Sequence, residues 1–251
     1  MTAVRLTSNV WLVGTADQSS PAFTSIYDCN QYLIWDGQRG VLVDAGTGLG
    51  AEDWTANVST VADVDSIEAL FLTHYHGDHA GGAAAAGEKG WSIAADIVTA
   101  NALSNGDETV TQVKRARERG IYPSDFSLHP QSVDWVLDDG DSIQLSGLNF
   151  TSIQAPGHCD GHVVFLLEDS EGIRALFTGD VLFADGLVSM QAIPDCRLDL
   201  YAESVIRIGT LGIEQLFPGH GRPVLKGANA DVARAAESFS RLVPPRNALN
   251  P

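Results

Sequence analysis

Two kinds of pattern alternate along the chain. Short runs of β-branched and other apolar residues, bounded by Gly or Asp, read as strands; Ala-rich amphipathic stretches of roughly 10 to 15 residues read as helices. The strand pattern falls on Val10–Val13, Gln31–Trp35, Gly40–Val43, Ala69–Leu72, Trp135–Leu137, Phe150–Gln154, Val163–Leu167, Ala175–Phe177 and Gln215–Phe217. The helical pattern falls between them, on Ala51–Val64, Gly81–Gly87, Asp107–Arg119, Leu198–Leu211 and Ala228–Leu242. Asp36 and Gly37, in DGQR, mark a hairpin between the second and third strands. The class expected is mixed α/β. Neither a low-complexity linker nor a close repeat divides the chain, which predicts one domain over residues 1–251 with the polar helical stretch at about 101–130 as an insertion.

Four apolar runs end within a few residues in a side chain that can bind metal: ALFLTH at His74, FTSIQAPGH at His158, ALFTGD at Asp180 and EQLFPGH at His220. Strand ends of this kind are expected to converge at one rim, where rigid elements hold ligands in fixed geometry.

The densest stretch is HYHGDH, residues 74–79. Imidazole and carboxylate suit zinc and similar divalent metals, and a carboxylate can bridge two ions. His74 and His76 are two apart, so their rings can point the same way in a tight or extended loop. Asp78 and His79 are adjacent and are expected to point apart. The outcome predicted is two neighbouring sites, one taking His74 and His76, the other Asp78 and His79.

HxHxDH followed by GG, then PGH, GD and GHG in this order, resembles the metallo-β-lactamase superfamily, and within it the glyoxalase II-like and lactonase-like hydrolases. NQYLIWDGQRGVLVDAG, near the N-terminus, is similar to that family's opening strands and VDxG turn, so the resemblance spans nearly the whole chain. The fold it implies is an αββα sandwich, two β-sheets flanked by helices. It also implies two divalent ions, zinc in the first place with iron or manganese as alternatives. One ion takes His74, His76 and His158, the other takes Asp78, His79 and His220, and Asp180 bridges them. Asp44 of VDAG would orient a ligand histidine, or simply end its strand in a turn. His162, four after His158, is expected in a hydrogen-bonded structural role, and His129 as a loop residue. Cys159 is left out of the ligand set because adjacent side chains diverge.

Composition narrows the partners. Lys plus Arg number 15 against 32 Asp plus Glu, a net charge of −17 that repels phosphate backbones and anionic lipid, so neither nucleic acid nor membrane is expected as a partner. The N-terminal MTAVRLTSNVWLVG lacks the apolar run of a signal peptide, so the chain is expected to be cytoplasmic. Cys29, Cys159 and Cys196 are few and far apart, and free thiols are expected. KRARERG puts Lys114, Arg115, Arg117 and Arg119 on a face that is solvated, unless the insertion folds over the metal rim to receive a substrate anion. The oligomeric state is left open, a homodimer included.

The function implied by the resemblance is hydrolysis of an ester, thioester or lactone of a small carbonyl substrate. The nucleophile is a hydroxide bridging two ions, with Asp78 as the catalytic residue that orients it and carries its proton. Alternatives are a mononuclear iron persulfide dioxygenase of the same superfamily, a homoserine-lactone lactonase, and a binding module without turnover. The 31 residues after His220 are short for glyoxalase II's glutathione-binding domain. Ligand spacings of 22 (158 to 180) and 40 (180 to 220) fit the lactonases, yet Phe183 stands where they carry a tyrosine, three residues past Asp180. The apolar segment after Asp180 is expected either to wall a pocket for an acyl group or to be ordinary core.

Overall fold

The computed structural model describes residues 2–145 and 148–248. The chain divides into two compact units, one up to Leu137 and one from Asp138 onward.

The first unit is built on a seven-stranded sheet in sequence order: β1 (Val4–Arg5), β2 (Val10–Gly14), β3 (Gln31–Trp35), β4 (Gly40–Val43), β5 (Ile67–Phe71), β6 (Ser92–Ala95) and β7 (Trp135–Val136). β1 to β4 pair antiparallel, and from β4 to β7 every pair is parallel. Parallel neighbours need a crossover that returns the chain to the same edge. The sequence supplies one each time: α1 (Ala51–Ser59) before β5, α2 (Gly77–Ala80) and α3 (Ala83–Glu88) before β6, α4 (Ile97–Ser104) and α5 (Val113–Glu118) before β7. Val13, Leu33, Leu42, Leu70 and Ile93 form one buried cluster with Trp54 and Val58 of α1 and Ala83 and Ala86 of α3.

The second unit holds a five-stranded sheet from β8 (Ser142–Leu145), β9 (Leu148–Gln154), β10 (Val163–Glu168), β11 (Arg174–Gly179) and β12 (Gln215–Pro218), in the order β12-β11-β10-β9-β8. Only the β11–β12 pair is parallel, with α6 (Leu198–Ile208) between its strands in sequence. Ile153, Val164, Leu176 and Leu216 pack with Tyr201 and Val205 of α6 and with Val232 and Ala235 of α7 (Ala228–Ser240).

Several boundaries differ from those read in the sequence, each for a local reason. The helix expected over Ala51–Val64 stops at Ser59, and a 3₁₀ turn at Val64–Ser66 follows, capped by Asp63 accepting from the Asp65 amide. The helix expected over Gly81–Gly87 is α3, which starts at Ala83; Gly81 and Gly82 separate it from the short α2, which no pattern announced. A Cβ on Gly82 would lie 2.2 Å from the Ala45 carbonyl, so the β4 loop approaches closer than any side chain permits. The helix expected over Asp107–Arg119 shrinks to Val113–Glu118 because Gln112 is left-handed (φ 61°) and the Asp107 carboxylate takes the Thr109 and Val110 amides into a turn. β1, β6, β8 and α4 were not read at all, although Asp96, accepting from the Val98 amide at 2.6 Å, is an N-cap of the usual kind.

Candidate functional site

In the first unit the parallel register pairs Val43 with Phe71, so the chain leaves β4 at Asp44 beside the chain leaving β5 towards Thr73. Asp44 is buried, with a left-handed backbone (φ 59°) that Asp tolerates better than most residues. Its Oδ1 accepts the Thr73 amide at 2.8 Å, and its Oδ2 lies 2.9 Å from Thr73 Oγ1 and 2.8 Å from His79 Nδ1. A carboxylate only accepts, so His79 carries a proton on Nδ1, which leaves Nε2 as the atom that can offer a lone pair to a metal. Thr73 Oγ1 also lies 3.0 Å from His74 Nδ1, which extends the chain of hydrogen bonds to a second imidazole. Asp44 thus orients the His79 ring, one of the candidate ligands, besides ending its strand in a turn.

His74 and His76 point the same way, as their spacing suggested, with His74 Nε2 3.1 Å from His76 Nδ1. The expectation that Asp78 and His79 point apart is corrected. Both sit in the single turn of α2, and Asp78 Oδ2 comes within 3.9 Å of His79 Nε2. The loop is tied down on every side: the Gly77 amide donates to Thr111, the Cys29 amide to the Asp78 carbonyl, and the Ala45 amide to the His79 carbonyl. The rings of His74, His76 and His79 are buried, while the Asp78 side chain is one-quarter exposed (25%).

In the second unit three strand ends and one strand start share a rim. β9 ends opposite the start of β10, and the parallel pair β11 and β12 ends side by side, with the Gly219 amide donating to Gly179. That brings His158, Asp180 and His220 together. Asp180 presents a different oxygen to each histidine, Oδ2 at 3.6 Å from His158 Nε2 and Oδ1 at 3.5 Å from His220 Nε2. His158 Nδ1 is 2.8 Å from the Ser189 carbonyl, which fixes its proton there and turns the Nε2 lone pair towards the carboxylate. A lone pair facing a carboxylate oxygen across this gap is an arrangement that a cation stabilises, so the donor set fits divalent metal in chemistry as well as in type.

The other residues singled out in the sequence fall as follows. His162 accepts the Asp180 amide at Nε2 (3.2 Å), a hydrogen-bonded structural role as expected. His129 lies on a loop, lining a cavity of about 540 Å³ in the first unit with Thr47, Gly81, Glu88 and Phe126. The segment after Asp180 is core: Val181, Leu182, Ala184 and Val188 belong to the buried cluster of the second unit. Phe183 is buried, its ring centroid 6.5 Å from that of His220. In the basic cluster Arg117 is structural, clasping Glu108 (Nη2 to Oε2, 2.7 Å) and donating to the Phe126 carbonyl. Lys114 and Arg119 are exposed. All three cysteines are free thiols.

Several residues of the site were not read from the sequence. Cys29 is fully buried and hydrogen-bonded to His79, and burial pushes its thiol up to about 12, which keeps it neutral. Asp28 takes the Thr47 amide and hydroxyl on Oδ1 and braces the turn after Asp44; burial raises its carboxyl. In the second unit the Tyr201 hydroxyl sits 2.7 Å from the Val181 carbonyl and accepts the Ser189 amide, pinning both ends of the loop that carries Asp180 to the Ser189 contact of His158. Gly157 has to be glycine here: its φ is 136°, and a Cβ would lie 2.3 Å from the Tyr201 backbone.

The metallo-beta-lactamase superfamily model matches residues 25–220. Among curated proteins the chain is 28% identical over 207 residues to a beta-lactamase-like protein 2 homolog of Caenorhabditis elegans, covering 82% of this chain and 60% of that protein. It is 26% identical over 204 residues to the atrochrysone carboxyl ACP thioesterase of Aspergillus fumigatus, covering 80% of this chain and 53% of that one. The chain thus spans little more than half the length of these relatives. Among solved structures, a Cronobacter sakazakii metallo-beta-lactamase mutant superposes with a TM-score of 0.73 at 18% identity, over 96% of this chain and 95% of that one. A class B3 di-zinc metallo-beta-lactamase from an Alaskan soil metagenome gives 0.71 at 18%, over 96% and 92%. Two mixed sheets flanked by helices, and a family match running through every histidine and carboxylate described above, lead to one conclusion: the chain belongs to the metallo-beta-lactamase superfamily.

Proposed function

We propose that the chain hydrolyses an ester or thioester bond of a small molecule with two divalent ions, zinc in the first place. The ligands are those the family resemblance implies: His74, His76 and His158 for one ion, Asp78, His79 and His220 for the other, and Asp180 between them. One observation carries the reading. The two oxygens of Asp180 face two different imidazoles at nearly equal distance, 3.6 and 3.5 Å, which puts one carboxylate within reach of whatever each imidazole would bind. The di-zinc description of the soil-metagenome enzyme is in keeping with it.

When bound, such a pair of ions supplies a water acidic enough to attack at neutral pH and a Lewis acid for the substrate carbonyl. The protein's own groups do the rest. Asp44 and the Ser189 carbonyl hold the His79 and His158 rings in the tautomer that offers Nε2. Asp78, partly exposed at the end of its loop, orients the attacking water and carries its proton. Phe183 brings no hydroxyl to the rim, which favours substrates whose leaving group needs no donor, thioesters and aryl esters, over homoserine lactones. The Aspergillus relative, named as an acyl-carrier-protein thioesterase, agrees with that class.

The test is a panel of thioesters, aryl esters, lactones, phosphodiesters and β-lactams offered to purified protein, with metal content measured on the same sample. The reading expects two ions per chain and the highest kcat/KM on a thioester or aryl ester. Preference for a phosphodiester or β-lactam would overturn the substrate class.

A further inference from the structure

The segment around α5 reaches back to the HYHGDH loop. The Gly77 amide donates to the Thr111 carbonyl at 3.2 Å. A Cβ placed on Gly77 would lie 2.7 Å from a Val113 methyl, 3.3 Å from Tyr122 Cε2 and 3.4 Å from the Tyr122 hydroxyl oxygen. Gly77 is therefore small because the insertion lies directly on it, and the Tyr122 phenol rests one residue from Asp78. The ring is held from two further sides, edge-on to Tyr27 (centroids 6.1 Å apart) and to Phe126 (5.0 Å). The segment is itself clasped by Arg117, which joins Glu108 to the Phe126 carbonyl. The Tyr122 hydroxyl is hydrogen-bonded to the Asp78 carboxylate, and since a carboxylate only accepts, the phenol is the donor.

We propose that Tyr122 is a positioning residue for Asp78: its hydroxyl donates to the Asp78 carboxylate and fixes the rotamer in which that group serves the site. The inference rests on the functional reading above, in which Asp78 is both ligand and proton carrier. It gives the 101–130 insertion a role that its composition did not indicate. A polar helical excursion delivers one phenol to the HYHGDH loop within the first unit. A carboxylate with one partner fixed loses less freedom when it takes up an ion and when it orients water, so removing the donor weakens both.

The variant is Tyr122→Phe, which keeps the ring on Gly77, Tyr27 and Phe126 and removes only the hydroxyl. Tyr122→Leu, which also loses the ring, serves as the packing control. Metal-free protein is titrated with zinc against a chromophoric chelator, and kcat and KM are measured on the best ester or thioester. For Tyr122→Phe the expected result is wild-type thermal stability, one of the two zinc affinities weakened on the order of tenfold with the other kept, and kcat lowered about as much with KM little changed. Tyr122→Leu should lower thermal stability as well. If Tyr122→Phe matches the wild type in both zinc affinities and in kcat, the phenol only packs and the inference fails while the functional reading stands. If the wild type itself takes up fewer than two ions, both fail.

Discussion

His79 Nδ1 lies 2.8 Å from Asp44 Oδ2, inside a buried network that also holds Thr73 and, through its hydroxyl, His74. One carboxylate at the end of β4 thereby sets the tautomer of an imidazole on the neighbouring strand's loop. Asp44→Asn keeps a residue that tolerates the left-handed backbone but offers only one acceptor oxygen. Zinc affinity should fall 10- to 100-fold, the usual range for a lost partner of a ligating histidine. Chelator competition on metal-free protein checks this. Unchanged affinity would show that the contact does not orient the ring.

Asp180 and His162 are joined by a hydrogen bond, yet they are assigned different work. Asp180→Ala removes the carboxylate that faces both His158 and His220, and should lower metal content below two ions per chain and abolish turnover. His162→Ala removes an acceptor for one backbone amide and should cost on the order of 1–3 kcal/mol of stability while leaving stoichiometry at two. Elemental analysis alongside thermal unfolding separates them, and equal effects would undo the division into ligand and bystander.

With Phe183 buried near His220, an acyl-homoserine lactone should be a poor substrate beside an aryl ester or thioester, and Phe183→Tyr should narrow the gap. A donor acting on developing charge is worth about 10²-fold or more in turnover. A wild type that prefers the lactone, with no gain from the added hydroxyl, would mean that another group supplies the donor.

The clasp on the insertion has a pH signature. Hydrogen bonding to Arg117, ahead of burial, holds the Glu108 carboxyl below its ordinary value of 4.5. A depressed folded pKa contributes stability that is fully present above the unfolded value and lost as pH falls through the folded one. Glu108→Gln should therefore melt on the order of 1–3 °C below the wild type at neutral pH, with the difference closing as the pH drops below 4.5. A gap that stays constant to low pH would show that the pair is not the cause.

Much of the site was legible because metal ligation constrains residue type and order together. HYHGDH, PGH, GD and GHG could be placed at strand ends from apolar runs alone, and β3 and β4 were read to the residue because a hairpin turn and continuous apolar strands bound them. What escaped notice has weak local signals. β6 is Ser-Ile-Ala-Ala, too small in side chain to read as a strand until its neighbours bury it. Thr73, Cys29 and Tyr201 act through contacts set by register and helix packing, and no spacing in the sequence announces them. Adjacent Asp78 and His79 were misread because neighbours point to opposite sides only in extended backbone; in the turn of α2 they are about 100° apart, and their side-chain ends come within 3.9 Å.

The most direct test is a zinc titration of metal-free protein with hydrolysis of an acyl thioester followed throughout. Activity should rise with the second ion and reach its plateau at two per chain. A plateau at one ion, or no hydrolysis of any ester or thioester at full loading, would contradict it.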